Sequence, residues 1–459
     1  MTGWVTVLAG GQDGTVATTV PLSRWLGMLS ATGYRAGHSW LAGLLLFLGI
    51  ASLALLWTAV LHRPADAALS ERQAWWIAAG WWAPFVIGPP LISKDVFSYA
   101  AQGLMVRSGL DPYASGVSAL AQVPSDAAAR LLAAVDPTWR SAPSPYGPLG
   151  TIVEHLAIAI SGGSPLGAVL VLRGLAVGCV VAIAFQAMHL SGNRRPEALI
   201  LVVLNPLVLL HLISGAHLEA SMGALLLGAL VTARHNHWVW AVFLACAAGS
   251  IKAPAFAAVL PIIAAHALAE PDRRTRLLVG LRDAAVAAIS ATGFMLLVDN
   301  GTGWVNGLST PAQGYTPFAP ASLIGDLFRR VVVSASPDDL AAGGRITCLL
   351  AAIFIVAVLS ATARKRSLQR NVGYSLLALA LLSPTIYPWY LLWGVLCLAA
   401  AVTGRERDWL VLACGVTSVA AITGAPSAAT ASFNVIAVLT ASALMWRGSR
   451  MRRGVAATA

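Results

Sequence analysis

Long apolar runs alternate with short polar breaks along almost the whole chain, and the breaks carry most of the arginines. The runs fall at 40–61, 74–92, 166–190, 198–213, 218–233, 238–249, 255–268 and 284–298, then at 346–363, 372–382, 389–402, 409–422 and 428–446. Apolar runs of this kind predict helices. A helix perpendicular to a bilayer needs roughly 20 apolar residues, so the shorter runs leave the expected count at about 13 spans, between about 11 and 15.

The polar breaks set the orientation. Arg63 and Arg72, Arg194 and Arg195, Arg234, the cluster at 273–282, the cluster at 364–370, Arg405 and Arg407, and the cluster at 447–453 fall on alternate breaks. Cytoplasmic loops carry an excess of Lys and Arg, so these breaks are expected inside. The scheme closes if "GPLGTIVEHLAIAI" (147–160) lies in the outer interface or re-enters without crossing. Two long polar intervals, 93–145 and 300–344, then face outward, as does the N-terminus. Residues 1–11 show no cleavable signal pattern. The expectation is a single transmembrane domain over 1–459 with two extracytoplasmic loops.

Composition narrows the class. Hydrophobic residues make up 58% of the 459 and charged residues only 11%, a balance with which a soluble domain could not cover its surface. The net charge of +11 could suggest nucleic acid, but scattered short basic clusters fit a membrane protein instead. Cys179, Cys246, Cys348, Cys397 and Cys414 lie in apolar runs without metal-ligand spacing and read as small core residues.

The remaining polar motifs fall on the outer side of this topology. "SKDVFSYAAQG" (93–103), "GLDPYASG" (109–116) and "PSPYGPL" (143–149) belong to the first loop. "NPLVLLHLISGAHLEASM" (205–222), "GSIKAP" (249–254) and "LSPTIYPWYLLW" (382–393) mark further outer turns. Asp95 is the sharpest candidate: a carboxylate at a span end, partly withdrawn from water, is a good proton acceptor. The plainer reading is an N-cap for a following helix. Lys94 can pair with it, meet an anion or snorkel. Tyr99 and Gln102, four and seven residues on, share its helix face. Asp111 before Pro112 reads as a turn starter.

Tyr146 reads as an interface anchor, with Glu154 and His155 as further polar contacts. His211, His217 and Glu219 match no helical zinc spacing, and hydrogen bonding to sugar hydroxyls or phosphate suits them better. Lys252 sits between two short Gly/Pro-interrupted segments, where a cation suits an anionic group. Arg173, two turns into a span, must face protein or ligand. Tyr387, Trp389, Tyr390 and Trp393 form an aromatic belt or a platform for a sugar or isoprenoid. Trp304, Asn306, Gln313 and Tyr315 could line a sugar groove. The chain carries no phosphate-binding glycine loop and no Asp-x-Asp for a metal-bound sugar nucleotide. A secondary transporter or lipid-sugar flippase is the alternative class, but no internal repeat supports it.

Taken in order, "SKDVFSYAAQG…GLDPY", "PSPYGPL", "NPLVLLHLISGAH", "IKAP" and "SPTIYPWYLLW" resemble the actinobacterial polyprenyl-phosphomannose-dependent α-(1→6)-mannosyltransferases, a branch of the multispanning GT-C glycosyltransferases. The resemblance runs from about residue 40 to the C-terminus. It implies an all-α GT-C-like bundle in the plasma membrane, with its active site on the extracytoplasmic face. It implies an inverting transfer of mannose to a lipomannan or lipoarabinomannan acceptor, with Asp95 as general base and no metal or other cofactor. Lys94, Arg173, Lys252, His211 and His217 would contact the donor phosphate or substrate. Two positions depart from the family: Lys94 stands where Arg is frequent, and Leu218–Glu219 where Asn–Asp is usual.

Overall fold

The structure, a computed structural model, describes residues 1–12, 40–64, 67–310, 319–331 and 336–420. The expected span at 428–446, the basic cluster at 447–453, Gln313 and Tyr315 lie outside the described residues. No strand occurs among the described residues, apart from one isolated antiparallel bridge between Tyr146 and Lys252. The helices run in chain order as α1 (Thr2–Gln12), α2 (Trp40–Leu61), α3 (Glu71–Ile87), α4 (Asp95–Arg107), α5 (Asp126–Ala134), α6 (Pro148–Ile160) and α7 (Pro165–Leu190). Then come α8 (Arg195–Val203), α9 (Glu219–Arg234), α10 (Trp238–Ile251), α11 (Val259–Ala269), α12 (Arg273–Met295) and α13 (Trp304–Gly307). The described chain continues with α14 (Pro320–Val331), α15 (Pro337–Ala361), α16 (Leu368–Leu381), α17 (Leu391–Ala399) and α18 (Gly404–Ala420).

Among the described residues, four helices are long and apolar enough to cross a membrane: Gly43–Leu61, Pro165–Leu190, Arg273–Met295 and Asp338–Ala361. A fifth is the bent pair Gly192–Val203 and Val208–Ser214, which turns by 68°. This is the architecture of an all-helical polytopic membrane protein. The higher count from sequence rests on shorter apolar helices such as Trp238–Ile251 and Ala253–Ala269. Boundaries shift in three places. The basic cluster at 273–282 lies inside α12, which starts eleven residues before the expected 284–298. The second polar interval, 300–344, ends within α15. The N-terminal helix α1, not anticipated, packs on α2 and α3.

Local sequence explains the breaks that matter for the site. α3 begins on a capping box: the Ser70 hydroxyl accepts from the Gln73 amide, and the Gln73 side chain accepts from the Ser70 amide. It ends where Gly88, Pro89 and Pro90 remove the means to continue. α8 stops before Asn205–Pro206, and the Asn205 side chain accepts from the Leu207 amide to turn the chain into the π-helical segment Val208–Ser214. Two tryptophans satisfy carbonyls near this break. The Trp57 indole donates to Ile200 at 3.0 Å and the Trp82 indole to Val203 at 2.7 Å.

The start of α3 belongs to an ionic belt. Arg195 meets Glu71 at 2.6 Å, Arg407 meets Glu197 at 2.7 Å, His62 meets Asp408 at 3.2 Å, and Arg370 meets Glu406 at 2.7 Å. These are residues of the arginine-bearing breaks. The other end of α3 leads to Asp95. A 17-residue helix spans about 25 Å, so α3 separates the belt from the candidate site by close to a bilayer core thickness.

Candidate functional site

Asp95 opens α4. Lys94, with non-helical backbone angles, takes the cap position, so Asp95 is the first helical residue rather than the N-cap. Its amide donates to the Ser93 hydroxyl at 3.2 Å, which satisfies a group that every helix start leaves open. The Asp95 side chain is 24% exposed, and the α4 N-terminus places partial positive charge beside it. Lys94 is half-buried and makes no side-chain capping bond.

The turn before α4 is fixed by Arg173. Its guanidinium is 1% exposed and donates to the carbonyls of Val86 (3.0 Å), Gly88 (2.5 Å) and Ser214 (2.7 Å). The Ser214 hydroxyl in turn receives the Leu91 amide at 3.2 Å. A contact with donor phosphate was expected of Arg173. In the structure, backbone carbonyls left over at the end of α3 and at the π-helical segment accept from both of its terminal nitrogens. It ties together the two segments that carry Asp95 and the histidines.

His217 lies across from Asp95. Its Nδ1 is 3.6 Å from Asp95 Oδ2 and 3.7 Å from Glu219 Oε2, and both His217 and Glu219 are fully buried. The other Glu219 oxygen forms an ion pair with Lys252. Lys252 was expected to meet an anionic group, and the anion it meets is this carboxylate. Aromatic rings surround its ammonium, with centroids at 4.9 Å (Tyr390), 5.4 Å (Tyr146) and 5.6 Å (Trp393), a favourable setting for a cation.

The aromatic cluster is a wall rather than a belt alone. Tyr387 stacks on Trp389 at 4.6 Å, and Trp389 packs on His217 at 4.5 Å and His211 at 5.1 Å. Tyr390 stacks on Trp393 at 4.2 Å. His211 is fully buried, and neither of its ring nitrogens has a hydrogen-bond partner; the same holds for the indole nitrogens of Trp389 and Trp393.

Residues of 93–145 pack against this centre. Tyr99 is fully buried, its hydroxyl 3.3 Å from that of Tyr146 and its ring 6.4 Å from His217. Gln102 is also buried and bonds Ser144 at 2.9 Å, with the Glu154 carboxylate 3.2 Å from its amide. The two residues were expected on one face with Asp95. Tyr99 reaches the site, whereas Gln102 joins α4 to α6. Buried Glu154 belongs to that joint, and half-buried His155 follows it in α6.

Two glycines allow these approaches. A Cβ on Gly103 would lie 2.1 Å from the Glu154 carbonyl oxygen, and one on Gly147 would lie 2.2 Å from that of Ser250. The second contact joins "PSPYGPL" to "GSIKAP", with the Gly147 amide donating to Ile251 at 3.0 Å.

Asp111 is a turn starter, its carboxylate accepting from the Tyr113 amide at 2.7 Å. Its other oxygen accepts from the Asn300 side chain. The two long polar intervals therefore dock, reinforced by Trp304 donating to the Pro145 carbonyl at 3.1 Å and Thr310 to that of Pro143 at 2.9 Å. Trp304, expected in a sugar groove, is buried against that turn, while Asn306 is exposed. No group of three or more His, Cys, Asp or Glu side chains is arranged to hold a metal among the described residues.

Comparison with known proteins accounts for the motifs. Residues 1–269 match the family model described as "Alpha-(1->6)-mannopyranosyltransferase, N-terminal domain". The chain belongs to the α-(1→6)-mannopyranosyltransferase family. It is thus placed among the glycosyltransferases, and residues 340–450 match a model described as the MptB C-terminal domain. A Mycobacterium tuberculosis protein named alpha-(1->6)-mannopyranosyltransferase A is 30% identical over 428 residues, covering 88% of this chain and 80% of that one. A Corynebacterium glutamicum protein named alpha-(1->6)-mannopyranosyltransferase B is 29% identical over 399 residues, covering 78% and 65%. No solved structure matches the chain significantly.

Proposed function

We propose that this mannosyltransferase takes mannose from a polyprenyl-phosphate-mannose donor and builds α-(1→6) linkages on a mannan or lipoglycan acceptor, of the lipomannan and lipoarabinomannan type. The site lies on the extracytoplasmic face of the plasma membrane, where a lipid-borne donor enters sideways and a water-borne acceptor from outside. One observation carries the reading: a partly exposed carboxylate, Asp95, stands at a helix start directly after Lys94, facing His217 and the aromatic wall packed on it.

The acceptor hydroxyl oxygen attacks the anomeric carbon from the face opposite the phosphate. As the new C–O bond forms, the hydroxyl proton passes to Asp95, and the old C–O bond breaks with its electron pair going to the phosphate. A β-linked donor gives the α product with inversion in one displacement. Phosphate leaves without protonation, so one carboxylate suffices where glycosidases use two. Lys94 and the positive end of α4 stabilise the charge that builds on the leaving group. The reaction as written assigns no role to a metal or other cofactor. Half-buried Tyr387, backed by Trp389, offers a flat face for a sugar ring.

Purified protein supplied with synthetic polyprenyl-phosphomannose and a mannoside acceptor tests the reading. Asp95→Asn is expected to lower kcat by about 10²–10⁴, the range for a general base, with donor binding kept. Full activity in that variant would sink the base assignment. Substrate translocation without sugar transfer by the native protein would point to a flippase.

A further inference from the structure

Lys252 is 7% exposed, closed in by three aromatic rings and ion-paired to Glu219. Glu219 Oε2, the oxygen left over, has no hydrogen-bond partner and lies 3.7 Å from His217 Nδ1. The same Nδ1 lies 3.6 Å from Asp95 Oδ2. Four groups from three segments thus stand in a row, with the partly exposed base at one end and the enclosed ammonium at the other.

Resting on the reading of Asp95 as base, we propose that Lys252, Glu219 and His217 form a positioning series for Asp95, with His217 donating from Nδ1 to the carboxylate and Lys252 serving as internal counter-charge rather than as a substrate ligand. Three features favour this role. Nδ1 is the ring nitrogen that faces both carboxylates, so it is the one that carries a proton. Glu219 Oε2 lies against the same Nδ1 at 3.7 Å, and Trp389 packs on the ring at 4.5 Å. A buried ion pair is a costly way to fill space compared with apolar side chains, so its presence calls for a function.

Backbone strain points to the same pair. Ile92, three residues before Asp95, has φ 69°, and Ala216, directly before His217, has φ 49°. The left-handed region is unfavourable for any residue with a Cβ and most so for a β-branched one. Such strain persists where the surrounding structure holds it and gathers at functional sites. Here it lies on both arms that bring the carboxylate and the imidazole together. Both Nδ1 distances exceed an ordinary hydrogen bond, and catalytic contacts commonly tighten only when substrate is bound.

The base keeps one oxygen turned to His217 and the other for the incoming hydroxyl. The acceptor proton goes to Asp95 and later leaves to water from its exposed side. His217 transfers no proton in this scheme. It sets the carboxylate's angle.

The test uses the full chain in detergent or nanodiscs, with His217→Gln, Glu219→Gln, Lys252→Met and the double variant Glu219→Gln/Lys252→Met. Steady-state rates with polyprenyl-phosphomannose and thermal unfolding are both read. His217→Gln is expected to lower kcat by roughly 10–100-fold with the donor KM within about twofold, the pattern of an interaction realised in the transition state. Each single charge variant should lower Tm by several degrees, because one buried charge loses its partner, and the double variant should recover most of that loss. The double variant should also keep the native donor KM while its kcat stays about tenfold down, since His217 has lost its anchor.

A donor KM raised tenfold or more in the double variant, with kcat kept, would show Lys252 to be a phosphate ligand and overturn the proposal. Native kcat in His217→Gln would overturn the role of His217. If the native protein transfers no mannose at all, the functional reading fails, and the thermal data still decide the pairing: additive losses in the double variant overturn it, recovery supports it.

Discussion

Ala216 and Ile92 show how much of this site depends on single backbone angles. Ala216 is buried, and its small side chain occupies left-handed space at a cost of about 1–2 kcal/mol. Replacing it with glycine removes that strain and adds chain entropy on unfolding of about 0.5–1 kcal/mol. Ala216→Gly is therefore expected to match native Tm closely. Ala216→Val adds a branched side chain in the same conformation and should lose about 1–3 kcal/mol with most of the transfer rate. Denaturant unfolding with parallel transfer assays checks both. Lys94 belongs to this scale too. Neutralising it as Lys94→Met should raise the donor KM about tenfold and leave folding intact, since a half-exposed cation contributes little to stability. An unchanged donor KM would remove Lys94 from the phosphate site.

At the scale of elements, the site depends on helices that come closer than side chains normally permit. α4 and α6 meet at Gly103, where even a methyl group would strike the Glu154 carbonyl. Gly103→Ala must push the helices apart or strain α4, costing about 1–3 kcal/mol as overpacking does. Because Asp95 starts α4, the rate should fall with stability although no catalytic atom is altered. The broken pair α8 and the π-helical turn has a related dependence. Trp82→Phe leaves the Val203 carbonyl unpaired inside the bundle, a loss of about 1–3 kcal/mol, readable as a lower Tm.

The positions of these elements were legible along the chain, because proline, glycine and capping residues act locally. α2 and α9 lie within a residue of the apolar runs that predicted them, and "GSIKAP" does interrupt two short helices at Lys252. α12 was misplaced because its first turns carry arginines, which apolar patterning discounts, while the helix is set by the Asp272 cap accepting from Thr275 at 2.9 Å. α5 and α14 were missed for a different reason: neither is long and apolar, and both lie in intervals read as loops.

Across the whole molecule, chemistry and charge occupy opposite ends of α3. The belt of Glu71, Arg195, Glu197, Arg407 and Glu406 is far from Asp95 in these terms, and its members are partly solvated. Exposed pairs contribute little and are screened by salt. Glu71→Ala should therefore leave transfer within about twofold of native, and a larger loss in that assay would mean the two ends are coupled.

The sequence by itself determined the solvent of this protein and the approximate bounds of its helices. Those follow from residue type, local breaks and the cost of placing a charge among apolar neighbours, all of which are readable over a few residues. Only the tertiary structure decided which charge answers which. Asp95 and His217, Glu219 and Lys252, and Arg173 with the carbonyls of Val86, Gly88 and Ser214 are distant in the chain and meet only once the bundle closes. Spacing carries no record of such partners, because helix packing, and not sequence separation, sets the distance between them.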